Sequence, residues 1–191
     1  MSFFREQLEE WLSKIDVSAG SVLDVGGGEN PVKDRVRSFN VKIYKILDNN
    51  YQYKPDYYAD INYIFDLDRK FDILFCLEVF EYIWNPKQAI ENLGSFLKPG
   101  GIAYISFPTI YPVHNPYGID YLRYTKFGIE KLLPFGEFKS WEITPRTATL
   151  GIKALGEFYR LEGMHPISDR MIFDIGYLVK AIKGGDNEQN A

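Results

Sequence analysis

Residues 21–28, Ser-Val-Leu-Asp-Val-Gly-Gly-Gly, constrain this chain more than any other stretch. A short apolar run that ends in three glycines reads as a strand that turns sharply at its carboxyl end, with no Cβ in the way of whatever approaches. Further apolar runs follow at Val41–Leu47, Phe71–Leu77 and Ile102–Phe107, separated by stretches that carry helix signals. Strands alternating with helices predict a mostly parallel, doubly wound α/β sheet. In such a sheet a ligand sits beyond the carboxyl ends of the strands, where the strand order reverses.

Local signals fill in the other elements. Residues 3–15 predict an amphipathic helix with Phe4, Leu8, Trp11, Leu12 and Ile15 on one stripe. Asn30-Pro31 and Asn85-Pro86 both read as helix starts, because Asn caps free amides and Pro suits the first turn. In the second of these helices Ala89, Ile90, Leu93, Phe96 and Leu97 face the core, and Lys98-Pro99-Gly100-Gly101 stops it. Thr125 predicts a cap for a helix carrying Ile129, Leu132 and Leu133. A short strand is expected near Tyr57–Ile61, further strands at Phe138–Thr144 and Tyr177–Ile182, and a helix over 149–160. At 191 residues the expectation is one domain over 1–183, with the polar residues 184–191 as a frayed tail.

Composition narrows the partners. A net charge of −4 gives no footprint for nucleic acid. One cysteine and two histidines support neither a disulfide framework nor a zinc site, so no metal is expected, and Cys76 reads as a small buried strand residue. No apolar run approaches the ~20 residues of a membrane span, and the charged, amphipathic N-terminus does not read as a signal peptide. A cytoplasmic protein with a small-molecule substrate is the expectation, and 14 Tyr and 14 Phe suffice both to fill a core and to wall a pocket for a flat ligand. The oligomeric state stays open.

Two details narrow the ligand at the glycine bend. A dinucleotide fingerprint wants a third glycine where this chain has Pro31. Asp24 stands just ahead of the glycines, and its charge would oppose a diphosphate by roughly 4 kcal/mol per charge pair at ~4 Å and an effective dielectric of ~20. A ligand with an ammonium reverses that sign. The helix expected after Asn30 would aim its amides at the same spot. Asp48, at the end of the second strand, is placed to accept hydrogen bonds from ribose hydroxyls.

With these residues in view, Val22–Gly28 resembles the first motif of the class I S-adenosylmethionine-dependent methyltransferases, of the methyltransferase type 11-like kind. Phe71–Ile83 is similar to the family's fourth-strand segment, and Asn85-Pro86 and Leu97–Gly101 match in order, so the resemblance runs over residues 20–108. It implies a Rossmann-like sheet of seven strands with helices on both faces, and S-adenosylmethionine as cofactor. It further implies that Asp24, Gly26 and Gly28, with Gly27 in the same loop, hold the methionine end, Asp48 the ribose and Asp60 the adenine amine. Leu77 and Glu78 would lie beside the sulfonium and the incoming substrate. Tyr82 departs from the pattern, since many relatives have His there.

Residues 108–125 resemble a segment of some small-molecule and sugar-modifying members, which makes 108–124 the expected substrate-side loop. Tyr82, Tyr111, Tyr121 and Arg123 are the expected substrate residues, Arg123 through a two-pronged grip on an anion. His114 is the expected general base, because an unperturbed imidazole titrates near about 6.5. Asp120 would orient it or act in its place. The expected activity is methyl transfer to a small molecule, with a sugar or glycan hydroxyl as one candidate acceptor. An inactive relative serving as a binding or partner subunit stays open, given Tyr82, while Pro31 and Asp24 disfavour a nicotinamide-dependent oxidoreductase.

Overall fold

The computed structural model describes residues 3–111, 113, 120–147 and 174–185. Helix α1 (Phe3–Leu12) leads into β1 (Asp16–Val25), β2 (Ser38–Asp48), the short β3 (Tyr57–Tyr58) and β4 (Phe71–Cys76). Then come α2 (Pro86–Phe96), β5 (Leu97–Pro108), α3 (Lys126–Leu132), β6 (Phe138–Thr147) and β7 (Asp174–Lys183). The strands form one sheet in the order β3-β2-β1-β4-β5-β7-β6. Strands β3, β2, β1, β4 and β5 are parallel, and β7 lies antiparallel between β5 and β6. This is the expected Rossmann-like architecture, with the order reversing between β1 and β4.

Alternation along the strands feeds two cores. Leu23, Val25, Leu74, Cys76, Ala103, Ile105 and Phe107 face α2 and α3, where Ala89, Ile90, Leu93, Phe96 and Ile129 are fully buried. Val22, Ile73, Phe75, Tyr104 and Leu178 face Leu8 and Leu12 of α1. Burying each large side chain contributes roughly 1.5–3 kcal/mol. The caps form as the sequence predicts. The Asn85 side chain accepts from the Gln88 amide at 3.4 Å, and Thr125 Oγ1 accepts from Gly128 at 3.2 Å.

One expected element is absent. Asn30-Pro31 starts no α-helix; the connection contains one 3-10 turn, Val32–Asp34. The reason is distance. β1 and β2 pair along their whole length, with Asp16 opposite Ser38 and Val25 opposite Leu47. The connection must therefore descend from Gly26 to Ser38, a strand's length of about 30 Å at ~3.3 Å per residue. A helix over these few residues rises only ~1.5 Å per residue and falls short. The same pairing carries β1 back to Asp16, so α1 stops at Leu12 where residues 3–15 were expected, and the Arg37 amide closes onto the Ile15 carbonyl at 3.0 Å.

Strands β5, β6 and β7 are each longer than their patterns predict. Of the expected tail, Gly184 is tied down, its amide donating to the Glu137 carbonyl at 3.0 Å. The helix expected over 149–160 lies outside the described residues, as do residues 186–191. No helix among the described residues is long and apolar enough to cross a membrane.

Candidate functional site

A cavity of about 940 Å³ opens over the carboxyl ends of β1, β2 and β4, where the strand order reverses. Asp24, Gly26, Gly27, Asp48, Asp60, Leu77, Glu78, Tyr82, Tyr111 and Tyr121 all belong to its wall. These are ten of the residues singled out from the sequence, and the fold gathers them in one place.

At the glycine bend, Gly26 has φ +76°, a conformation that favours glycine, and its amide donates to the Leu47 carbonyl at 2.7 Å. The next two glycines make room for carboxylates. A Cβ on Gly27 would stand 2.3 Å from the carboxyl carbon of Asp24, and one on Gly28 would stand 2.7 Å from Asp48 Oδ2. Asp48 binds the loop in return: Oδ2 accepts from the Gly28 amide at 3.1 Å and Oδ1 from the Asn50 amide at 2.8 Å. Gly28 thus acts beneath the wall, through Asp48. Asp24 is 3% exposed, and its Oδ2 accepts from the Val32 amide at 2.8 Å and from the Tyr44 hydroxyl at 2.5 Å. Burial pushes its carboxyl up to about 6, against the pull of those two donors.

Asp60 sits in a turn pinned to α2. Its Oδ1 accepts from the backbone and side-chain nitrogens of Asn62. Asn62 Oδ1 in turn accepts from the Trp84 and Asn85 amides, and Asn92 reaches the Ile61 and Tyr63 carbonyls. The cap of α2 and this part of the cavity wall are therefore one hydrogen-bonded unit.

The opposite end is built around two glutamates. Glu78 follows β4 with φ +55°, which costs a residue with a side chain about 1–2 kcal/mol. Its amide donates to Ser106 Oγ at 2.7 Å, and its Oε1 accepts from Ser106 Oγ and from Arg146 Nη1, both at 2.8 Å. Arg146 is fully buried, its guanidinium carbon 3.2 Å from the centre of the Phe4 ring, and Phe4 packs on Tyr111 at 4.8 Å. A further bond runs from Arg146 Nη2 to the Phe4 carbonyl. Burial pulls the Arg146 pKa down, while Glu78 opposes that shift. Glu81 also belongs to the wall and is 3% exposed. Its Oε2 has no hydrogen-bond partner among the described residues. Burial, and then the charge of Glu78, push its carboxyl up to about 7. The Tyr82 phenol is pushed up to about 12 by burial and then by Glu81.

Tyr121 joins the wall through its amide, which donates to the Glu81 carbonyl at 2.7 Å. Asp120 and Arg123 are not part of the wall: Arg123 grips both Asp120 oxygens and the Tyr111 carbonyl. His114 lies outside the described residues. Sequence reasoning gave no part in the site to Glu81, Arg146, Phe4 or Tyr44. No spacing signals Arg146, whose partner is 68 residues away. Glu81 stands in the segment after β4, but its burial cannot be read from sequence.

Known proteins resemble the chain at two levels. A family described as "Methyltransferase domain" matches residues 2–132. A ubiquinone biosynthesis O-methyltransferase of Rickettsia conorii is 35% identical over 103 residues, 48% of this chain and 36% of that protein. The match thus spans little more than a third of that relative's length. Among solved structures, an S-adenosylmethionine-dependent methyltransferase of Mesorhizobium loti superposes with a TM-score of 0.63 at 14% identity, over 94% of this chain and 98% of that one. A possible histamine N-methyltransferase of Thermotoga maritima also gives 0.63, at 12% identity over 94% and 89%.

Proposed function

The chain belongs to the methyltransferase-domain family, as a class I S-adenosylmethionine-dependent methyltransferase, and from that premise we propose that it methylates a hydroxyl of a small neutral molecule. The donor set of the cavity fits the cofactor. Asp24 lies against the glycine bend to meet an ammonium, Asp48 is there for the ribose hydroxyls, and Asp60 flanks the adenine side with Ile61. Gly26 itself is demanded by the fold, since a Cβ there would stand 2.3 Å from Val79 Cγ2. When bound, the cofactor supplies an electrophilic methyl carbon on a positively charged sulfur.

This chain's residues then have to align and to manage a proton. Alignment alone can be worth about 7–11 kcal/mol. Leu77 and Glu78 follow β4 directly and belong to the cavity wall. Tyr82, Tyr111 and Tyr121 wall the acceptor end and suit a flat or ring-shaped molecule. With Glu78 already paired to Arg146, that end suits a neutral hydroxyl compound, a sugar or a phenol. His114, in the substrate-side loop, is the base of this reading, taking the hydroxyl proton as the oxygen receives the methyl group. The rickettsial relatives named as O-methyltransferases support oxygen as the acceptor atom.

The single observation that carries the reading is the gathering of Asp24, the glycine bend and Asp48 around one cavity. Calorimetry tests it. S-adenosylmethionine and S-adenosylhomocysteine should bind, NAD should not, and Asp48→Ala should abolish the binding. A methyl-labelled cofactor with a panel of phenols, sugars and amines then reads the acceptor. NAD binding without S-adenosylhomocysteine binding would end the cofactor assignment, and label appearing only on amines would end the hydroxyl one.

A further inference from the structure

Asp24 has one oxygen committed to the protein and one turned elsewhere. Oδ2 takes both the Val32 amide and the Tyr44 hydroxyl, while no described residue bonds to Oδ1; the carboxylate as a whole lies under Gly27 and on the cavity wall. In a Rossmann-like sheet the helix after the first strand ordinarily covers this place. Here the connection has one 3-10 turn and delivers one amide, Val32. The second donor comes from the neighbouring strand. Tyr44 is set opposite Val22 by the β1–β2 register, and its ring stands edge-on to Phe39 at 5.4 Å.

We propose that Tyr44 is a positioning residue of the cofactor site: its hydroxyl clamps Asp24 Oδ2 so that Oδ1 faces the cavity and receives the ammonium of the cofactor's methionine tail. This rests on the cofactor reading above. Two donors on one oxygen stop the carboxylate from rotating, so its orientation is set before the ligand arrives. Both donors also favour the charged form over the buried acid. The phenol is a dependable donor, because burial and the Asp24 charge raise its own pKa and keep its proton on. Other groups act on the same carboxyl. Arg35, from the connection, favours its charge, Asp48, at the end of β2, opposes it, and Cys76 of β4 is buried beside it with its thiol held protonated. Among the influences that hold the carboxylate charged, the Tyr44 hydroxyl is the largest.

The test compares two ligands that differ only in the tail. S-adenosylhomocysteine carries the ammonium and carboxylate, and 5′-methylthioadenosine carries neither. At pH 7 Tyr44→Phe should weaken S-adenosylhomocysteine about tenfold, about 1.4 kcal/mol, a modest value for a hydrogen bond to a charged group. Methylthioadenosine should bind as it does to the wild type, which also reports an intact fold. The deficit should shrink by pH 8.5, because a carboxyl that has lost a donor recovers its charge at higher pH. Asp24→Asn should lose affinity for the same ligand without that pH dependence, and adding Tyr44→Phe to it should cost nothing more. Unchanged S-adenosylhomocysteine binding in Tyr44→Phe overturns the proposal, as does equal loss for both ligands. A wild-type protein that binds neither ligand overturns the cofactor reading itself.

Discussion

The two ends of the cavity hold their carboxylates by different means. At the glycine bend, Asp24 and Asp48 are held mainly by main-chain amides, those of Val32, Gly28 and Asn50, with the Tyr44 hydroxyl as a further donor to Asp24. At the other end, Glu78 depends on Ser106 of β5 and Arg146 of β6, and Glu81 Oε2 has no hydrogen-bond partner among the described residues. The first arrangement is set by backbone amides and by the pairing of β1 with β2, and stiffens the site. The second is set by distant strands and leaves charge poorly compensated in a buried place. Poorly compensated groups near a ligand pocket are where chemistry and specificity concentrate.

The sharpest way to break this contrast is Arg146→Ala. It leaves the Glu78 carboxylate without its ion partner and removes the stack on Phe4. Removing one member of a buried pair costs about 3–5 kcal/mol, to be read from urea unfolding, with Arg146→Met losing less because it fills the space. Loss no larger than that of an exposed ion pair would put both ends on the same footing.

Next comes pH. Glu81 titrates at about 7 in the fold, above its ordinary 4.5. The stability linked to its proton is whole below pH 4.5 and is lost as pH rises through about 7. The span corresponds to about 3 kcal/mol. Glu81→Gln should flatten the stability profile across that window and melt above the wild type at pH 8. A profile unchanged by the substitution would move the stress elsewhere.

At the stiff end, Asp48→Ala orphans the Gly28 and Asn50 amides and should cost about 2 kcal/mol of stability, besides the loss of cofactor binding. The smallest effect belongs to Asp60→Ala, about 1 kcal/mol from the turn it holds with Asn62. Affinity for S-adenosylhomocysteine, measured alongside, separates an adenine contact from a purely structural turn. Both substitutions should leave the pH profile set by Glu81 untouched.

The same contrast explains what could be read in advance. The Asn85 cap, the apolar run of β4 and the glycine bend are short-range patterns, and each forms where the sequence places it. Asn30-Pro31 carries the same cap chemistry as Asn85-Pro86, yet no helix follows, because the β1–β2 register fixes how far the connection must travel. That register is a long-range property no dipeptide reports. The glycines were legible as a bend, but two of them serve the side chains of Asp24 and Asp48, where the sequence suggested room for a ligand alone. Tyr44 reads only as a strand residue and Arg146 falls just beyond a predicted strand, and their partners are found by folding.

Arg146 also reaches back to the Phe4 carbonyl, a bond between residues 142 positions apart. A clasp of that span cannot close during synthesis until β6 has left the ribosome, so the acceptor end is among the last parts of the molecule to acquire its shape. During that interval Phe4 of α1, which belongs to the cavity wall, lacks the Arg146 clasp.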